Sequence, residues 1–326
     1  MKFKFTNYLT ACSLMGGLLL APETQAVTYT ATRLEPLSNF VGSYALGINN
    51  AGLVVSYSST GGNAASRATI WQAGSAAATG LDGLGGSHSY AWGVNANGQV
   101  VGQAELNGDI FMHAALWQAG ATTATDLDTI FGGRNYSQAS SINNSGLVTG
   151  NGSYYQQAVL WQTGATTAID LNPLPGGARS IAAGVNDSGL VVGQADTGGG
   201  YGHAVLWRSG STAATDLGTL GGYFSGAAGV NANGLVVGQA DLPNGSHAAL
   251  WRPGSTTAID LGVLSGITNS NATGVNRRPG GWFVRRRLRQ RRGARRLMAS
   301  RLNNGYRPEF QGGAVEWLSH ACNRHQ

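Results

Sequence analysis

The sequence predicts an all-β protein assembled from about five copies of a four-stranded unit of about 45 residues. Three observations support this prediction. Tryptophan recurs at spacings of 46, 44, 46 and 44 residues, at Trp71, Trp117, Trp161, Trp207 and Trp251. Each interval holds four short strand-like runs. Glycine is abundant, with 51 residues, and charged residues make up only 11% of the chain, which favours short strands joined by tight turns over helices.

The first residues have the pattern of a secretory signal peptide. Lys2 and Lys4 form a short positive region, and an apolar stretch follows at 9–21. Small residues at Thr24 and Ala26 then suit a cleavage site. The apolar stretch is too short to span a bilayer. We therefore expect residues 1–26 to be removed and the protein to be secreted, periplasmic or attached to the cell surface, without a membrane span.

Cysteine usage leaves the mature chain without an internal disulfide. Cys12 lies in the predicted signal peptide, so only Cys322 remains after cleavage. A lipoprotein signal at Cys12 is the alternative, but the apolar stretch follows Cys12 instead of preceding it. An exported protein without disulfides must be stabilised by its core.

The net charge of +6 conceals two different regions. Residues 27–276 contain six arginines and twelve acidic residues, a formal charge of −6. Thirteen of the nineteen arginines follow Asn276. The repeat region is therefore acidic, and the basic character belongs to the tail at 277–326.

The second unit shows the four runs clearly. They lie at 89–94, 99–104, 113–117 and 122–127, and the turn at 95–98 contains Asn and Gly, which tolerate a positive φ and close a hairpin. The first residue of this turn recurs in every unit and forms the Asn column, which consists of Asn49, Asn95, Asn143, Asn186, Asn231 and Asn276.

Four strands in about 45 residues match one blade of a β-propeller. Ala, Gly and Val would allow neighbouring sheets to stack closely, and the recurrent Trp would fill the space between them. The segment at 28–37 resembles the fourth-strand segment at 212–220, so it would complete the last sheet and close the ring. A β-helix or solenoid is the alternative.

The repeat is similar to the extracellular repeats of the HAF family. The His-Ala-Phe of that family corresponds here to 113–115, 203–205 and 247–249, and its Asp-Leu-Gly-Thr-Leu-Gly-Gly stands in full at 216–222. This chain never has Phe in the third place, and Arg67 and Gln157 replace His in two copies. The resemblance covers residues 28–276 and implies an exported bacterial protein. It transfers no catalytic site.

The tail at 277–326 has two interpretations. Its arginines could form a basic arm for nucleic acid or acidic polysaccharide. However, 297–310 can be encoded so that deleting one base restores Leu-Trp-Gln-Ala-Gly-Ser-Thr-Thr-Ala-Ile-Asp-Leu-Asn, nearly the text of 250–261. We therefore expect the tail to be a sixth repeat translated out of frame and disordered, with no nucleic-acid partner. Losing that repeat should expose apolar edges and make the chain unstable or prone to aggregate.

Two further columns could carry chemistry. Paired carboxylates serve glycosidases, and histidines bind zinc. The acidic column consists of Asp126, Asp170, Asp216 and Asp260, and the His column consists of His113, His203 and His247. Each would place one residue per sheet, so we expect structural hydrogen bonding and no catalytic, cofactor-binding or metal site.

Variation between copies is concentrated in the loops after the second strands, at 105–112, 152–155, 196–202 and 241–246. Variable loops on a constant scaffold are typical of binding surfaces. The sequence therefore predicts a secreted, non-enzymatic protein that binds an extracellular glycan or protein. An extracellular hydrolase or lyase with its site in the propeller channel is the alternative, and a structural matrix component is a third.

Overall fold

The computed structural model is all-β, with no helix among the residues it describes. Those residues are 2–3, 29–62, 65–108, 111–128, 136–152, 156–275 and 282–285. The chain divides into two compact units, one of Met1–Arg33 with Asn303–Gln326 and the other of Leu34–Leu302. The prediction of an all-β fold built from four-stranded units is confirmed.

In the first unit, strand β1 (Lys2–Phe3) pairs antiparallel with strand β2 (Tyr29–Thr30). The sequence predicts instead that the segment containing Tyr29–Thr30 joins a repeat as its fourth strand. Because Lys2 and Phe3 belong to the predicted signal peptide, cleavage would remove the partner that β2 has here.

The second unit contains five four-stranded groups and a hairpin, which we call sheets I to V and hairpin VI in chain order; a parallel bridge between Ser66 and His88 joins sheets I and II into one eight-stranded sheet. Sheet I consists of β3 (Gly42–Ile48), β4 (Val54–Ser59), β5 (Ser66–Trp71) and β6 (Ala78–Gly80). Sheet II consists of β7 (Gly85–Val94), β8 (Val100–Leu106), β9 (Met112–Trp117) and β10 (Ala124–Asp126). Sheet III consists of β11 (Gln138–Ile142), β12 (Val148–Gly152), β13 (Gln157–Trp161) and β14 (Ala168–Leu171).

The remaining sheets repeat this plan. Sheet IV consists of β15 (Ser180–Val185), β16 (Val191–Asp196), β17 (Gly202–Trp207) and β18 (Ala214–Asp216). Sheet V consists of β19 (Ser225–Val230), β20 (Val236–Leu242), β21 (Gly245–Trp251) and β22 (Ile259–Asp260), and hairpin VI consists of β23 (Asn271–Val275) and β24 (Trp282–Arg285). In every sheet, strands adjacent in sequence pair antiparallel. This is not the pairing of a β-helix, in which successive rungs run parallel.

The sheets pack face to face in chain order, and the core consists of the layers between them. One layer contains Val192, Ala204, Leu206 and Leu217 of sheet IV together with Ala227, Val236, Ala240, Ala249 and Trp251 of sheet V. Equivalent layers lie between the other neighbouring sheets. Because most of the contributing side chains are small, neighbouring sheets approach closely, and one Trp in each of the four layers between sheets I and V provides the bulk.

A β-bulge interrupts the first strand of every sheet at the same repeat position. In sheet IV the register shifts between Ala182 and Gly184. Opposite the bulge stands glycine in four sheets, at Gly102, Gly150, Gly193 and Gly238. A Cβ at Gly193 would collide with the carbonyl oxygen of Ile181 on the neighbouring strand. The bulge therefore requires glycine here because the two backbones approach so closely.

Sheet I differs from the others because no sheet formed by the described residues packs on one of its faces. Ala45 in β3 is exposed, whereas its equivalents Ala91, Ala182 and Ala227 are buried. Ile48 is 67% exposed. The face that sheets II to V bury against a preceding sheet is therefore partly open in sheet I.

Several sequence predictions fall outside the described residues. They are the signal peptide, except for Lys2–Phe3, and the out-of-frame tail, except for Trp282–Arg285, which pairs with β23. Within the part of the chain that the structure describes, no helix has the length and apolar character needed to cross a membrane.

We expect Gly193→Ala to lower the free energy of unfolding by roughly 3 kcal/mol, because the added methyl forces the backbones of β15 and β16 apart. Urea denaturation followed by tryptophan fluorescence measures this change. Gly199→Ala is the control, since a Cβ there would meet Tyr201 at 3.5 Å and Thr197 at 3.7 Å, both ordinary contact distances. Equal midpoints for the two variants would contradict the role assigned to the bulge.

Candidate functional site

The five predicted tryptophans are buried and anchor neighbouring segments. Each is at most 1% exposed. Each indole Nε1 donates a hydrogen bond to a main-chain carbonyl that precedes its own sheet. The pairs are Trp71 with Glu35 (2.8 Å), Trp117 with Asp82 (2.8 Å), Trp161 with Leu127 (2.6 Å), Trp207 with Asn172 (2.9 Å) and Trp251 with Leu217 (2.7 Å). The Trp column is thus placed in the scaffold and not at an open surface.

The Asn column forms a ladder across the sheets. The side-chain Nδ2 of Asn143 donates to the carbonyl of Asn186 at 3.0 Å, and Asn186 donates to Asn231 at 2.9 Å. The same bond links Asn49 to Asn95 and Asn95 to Asn143. The ladder joins the turns between first and second strands from one sheet to the next.

Each Asn side chain also holds its own turn together. Oδ1 of Asn143 accepts hydrogen bonds from the backbone N–H groups of Ser145 (3.1 Å) and Leu147 (2.9 Å). A positive φ in this turn occurs at the glycine, Gly146, and not at an asparagine; Asn39 is the one described non-glycine residue with a positive φ. The expectation that Asn serves by tolerating positive φ is therefore wrong. It serves through side-chain hydrogen bonds to the backbone.

A column of serines, which the sequence did not predict, links each sheet to the next by hydrogen bonds. Ser180 Oγ accepts a hydrogen bond from the backbone N–H of Ala158 at 3.0 Å and donates to the carbonyl of Leu171 at 2.9 Å, both in the preceding sheet. Ser89, Ser137, Ser225 and Ser270 accept the equivalent N–H bond. The available signal was a serine at the period of the repeat, in or just before the first strand of each unit.

The predicted histidines and aspartates meet in pairs within one sheet. Nδ1 contacts a carboxylate oxygen at 3.0 Å in His113–Asp126, 2.9 Å in His203–Asp216 and 2.9 Å in His247–Asp260. Oδ1 of Asp216 also accepts a hydrogen bond from the backbone N–H of Gly218 at 2.7 Å, which is a structural hydrogen bond within the turn. The sequence did not predict these pairs, although the constant separation of 13 residues between the two columns is a signal that links them.

The two units without this histidine differ. In sheet I, Arg67 forms an ion pair with Asp82. In sheet III, Gln157 begins β13 and Asp170 lies in β14. Where histidine is present, the His–Asp pair joins the third strand of a sheet to its fourth. Among the described residues, no three His, Cys, Asp or Glu side chains form a group that could hold a metal ion.

His113 is the most buried histidine of the three, with 2% of its side chain exposed. Burial alone lowers the pKa of His113. The hydrogen bond and charge of Asp126, together with the charge of Asp128, outweigh burial and leave this pKa raised above its ordinary value. Nε2 of His113 is buried and has no hydrogen-bond partner among the described residues.

Aromatic pairs lie at the opposite end of the sheets from the Asn ladder. We name this end the loop rim. It consists of the described residues in the loops between second and third strands and in the links that lead into the next sheet. Tyr201 and Tyr223 stack here with ring centroids 4.9 Å apart and are 51% and 70% exposed. Phe111 and Tyr136 make an edge contact at 5.9 Å between sheets II and III.

Charged pairs accompany these rings on the loop rim. Arg179 Nε donates to Asp196 Oδ2 at 2.8 Å, and Asp196 is separated from Tyr201 only by a short turn. In sheet II, the backbone N–H and Nδ1 of His88 contact Glu105 Oε2 at 3.0 Å and 2.9 Å. The loop rim therefore combines exposed aromatic faces with fixed carboxylates, which is a composition suited to binding.

A second aromatic group lies on sheets I and II. We name it the aromatic row, and it consists of Tyr44, Tyr57, Tyr90 and Trp92. Successive ring centroids are 4.7, 4.8 and 5.7 Å apart. Burial, followed by the neighbouring phenols of Tyr44 and Tyr90, raises the pKa of Tyr57. Its hydroxyl is therefore neutral and able to donate at physiological pH.

Comparison with known proteins identifies no family for this chain. No family model matches it, and no curated protein matches it. Among solved structures, it is similar to that of TolB from Acinetobacter baumannii, with a TM-score of 0.45 and 11% sequence identity. The match covers 65% of this chain and 52% of the TolB chain, so this chain spans about half the length of that protein. A likeness this low identifies neither a fold nor a function.

We expect Asn143→Ala to lower the free energy of unfolding by about 2–4 kcal/mol, because it removes one rung of the ladder and the bonds that hold its turn. Thermal and urea denaturation of the purified chain measure the loss. Asn50→Ala, on an exposed residue of an equivalent turn, should stay within about 0.5 kcal/mol of the parent. A loss for Asn143→Ala no larger than for Asn50→Ala would refute the ladder as a source of stability.

Protonation of His113 should stabilise the fold. Because its pKa is raised in the folded state, its contribution is fully present below the unfolded value of about 6.5 and fades as pH rises through the folded value. His113→Gln, which installs the residue found at position 157, should therefore lose more stability at about pH 5 than at about pH 8. Urea midpoints of both proteins measure this difference. It should shrink or reverse sign when the two proteins also carry Asp126→Asn, because burial then lowers the pKa of His113 with less opposition. A difference that does not depend on pH would show that the ion pair is not responsible.

Proposed function

We propose that this protein is a secreted, non-enzymatic binding protein that presents its ligand-binding surface on the loop rim of a β-propeller-like scaffold. The proposal takes residues 1–26 as a signal peptide and 277–326 as a sixth repeat read out of frame. It also takes the repeat as belonging to the HAF type. Resequencing the gene tests the frame, and an intact frame without a spare base would contradict it.

Contacts between the sheets support the propeller-like arrangement. The first strand of each sheet packs on the first strand of the next, from β3 and β7 through to β19 and β23. The short fourth strands, such as β18 and β22, lie at the other edge of their sheets. The first strands of neighbouring sheets lie close together, whereas the large tryptophans separate the sheets nearer their outer edges. Sheets arranged in this way diverge from a common inner edge, as the blades of a propeller do.

The exposed pair Tyr201–Tyr223 is the observation that carries the binding proposal. Two stacked tyrosines with half or more of their surface in water do not serve the core. Tyrosines bind well at interfaces because a rigid, amphipathic ring loses little entropy on binding. The Trp, Asn and Ser columns meanwhile keep the scaffold constant, so the loop rim is free to vary.

Binding of the labelled chain to whole bacterial cells tests this proposal. We expect the double variant Tyr201→Ala, Tyr223→Ala to lose at least about tenfold in affinity, because the stacked face is removed. Flow cytometry over a concentration series, on cells with and without protease treatment, measures the binding. Arg208→Ala, an exposed change on the turn after β17, is the matched control and should bind as the parent does.

Other results would favour the alternatives. Equal binding by the double variant and the parent would remove the loop rim as the binding surface. Breakdown of cell-wall polysaccharide by the purified chain, lost on one Asp→Asn change in a single sheet, would establish a hydrolase or lyase. Self-association without cell binding, measured by size-exclusion chromatography, would establish a matrix component.

A further inference from the structure

We propose that the aromatic row on sheets I and II is a binding site for an uncharged oligosaccharide, whose sugar rings stack on the tyrosines while Glu105 accepts hydrogen bonds from hydroxyl groups. This inference rests on the proposed binding function. It deepens that function by naming a ligand class and a site distinct from the Tyr201–Tyr223 pair.

The repeat itself shows that packing does not require aromatic residues at these positions. Other sheets fold with different residues at each equivalent place. The place of Tyr44 and Tyr90 is taken by Gln138, Ile181 and Gly226. The place of Tyr57 is taken by Gln103, Asn151, Gln194 and Gln239, and that of Trp92 by Leu46, Ser140, Ala183 and Ala228. Four aromatic residues in one cluster, at positions where the scaffold accepts Gln, Ala or Gly, call for a role other than stability.

The rings form one connected surface that reaches solvent. Tyr44 stacks on Tyr57 at 4.7 Å with an interplanar angle of 21°, and Tyr90 stacks on Trp92 at 5.7 Å with 13°. Tyr57 joins the two pairs by an edge contact with Tyr90 at 4.8 Å. Tyr44 is 52% exposed, and the other three rings are half-buried. Contacts between the rings hold them in place, so little side-chain freedom is lost when a ligand binds.

A carboxylate lies beside the row. The His88 ring stacks loosely on that of Tyr90, with centroids 6.4 Å apart and an interplanar angle of 24°. His88 also contacts Oε2 of Glu105 through its backbone N–H and Nδ1. The other oxygen, Oε1, takes part in no hydrogen bond with the described residues, and the Glu105 side chain is 16% exposed. An oriented carboxylate with an available lone pair accepts hydrogen bonds from neighbouring hydroxyls, as polar groups in ligand sites do.

These features favour a sugar chain over other ligands. The C–H faces of a sugar ring are apolar and match the faces of Tyr rings, while its hydroxyls match a carboxylate and phenolic O–H groups. A stable protein partner needs about 800 Å² on each side, far more than four partly buried rings offer. Residues 27–276 carry six basic and twelve acidic side chains, a charge of −6, so an anionic polysaccharide would be repelled.

Isothermal titration calorimetry of the whole chain with cellohexaose, chitohexaose, maltohexaose and xylohexaose tests the proposal. We expect at least one to bind, and Tyr57→Gln and Tyr90→Gln each to weaken that binding by at least about tenfold. Both variants install residues that equivalent positions already carry, so near-ultraviolet circular dichroism and the urea midpoint should show a folded protein. Ile181→Gln, at the place of Tyr90 in sheet IV, is the matched control and should bind as the parent does.

The other outcomes either overturn the inference or separate it from the loop-rim proposal. No binding of any of the four by the parent excludes the site, even if the cell-binding experiment succeeds; in that case the loop rim remains the binding surface and its ligand is of another class. Parent-like binding by both folded variants places the sugar elsewhere, and loss of sugar binding on Tyr201→Ala alone places it on the loop rim. If the row variants lose sugar binding while the Tyr201–Tyr223 variant still binds cells, the inference stands and the loop-rim proposal fails.

Discussion

The structure depends on the contact between one sheet and the next. A four-stranded sheet of such small residues cannot bury both of its faces by itself, and a layer of Ala, Val and Leu with one Trp closes each gap. The indole supplies both the bulk of that layer and a hydrogen bond to the segment that leads into its sheet, as Trp161 does to Leu127. Replacing a buried Trp by Ala typically lowers the free energy of unfolding by about 3–5 kcal/mol. Any defect in one layer therefore affects two sheets.

Close stacking creates a second requirement, which the polar columns satisfy. Where two sheets approach through alanines, backbone groups at the strand ends lose water and need partners. Ser180 provides an acceptor and a donor at one end of the layer, and Asn143 provides both at the other. The His–Asp pairs add a third bond, from the third strand of a sheet to its fourth. These polar residues recur with the period of the tryptophans because every layer presents the same unpaired groups.

The sequence predicted the elements that repetition and apolar pattern determine. The four strands of sheet II, which form the second repeat, and the turn at Gly98 lie where the pattern placed them. It did not predict the bonds of Ser180, because a serine near a strand end is ordinary and only the neighbouring sheet gives it a role. The pairing of His113 with Asp126 was missed for a related reason: the antiparallel register of β9 and β10, and not chain proximity, brings them together. The aromatic row was missed because its rings come from two sheets.

Repetition also separates residues that the scaffold needs from residues that serve something else. Every sheet solves the same packing problem, so the five copies show which residue types each position accepts. Gly193 and Trp207 belong to columns that hardly vary, and each has a steric or hydrogen-bonding reason. Tyr57 belongs to a column in which amides suffice, and it is surrounded by three further aromatic departures from the repeat. A single substitution relative to the repeat pattern needs no special explanation. Substitutions that come together in space from different strands and sheets require a common cause. A bound ligand is such a cause, because it contacts residues of more than one sheet.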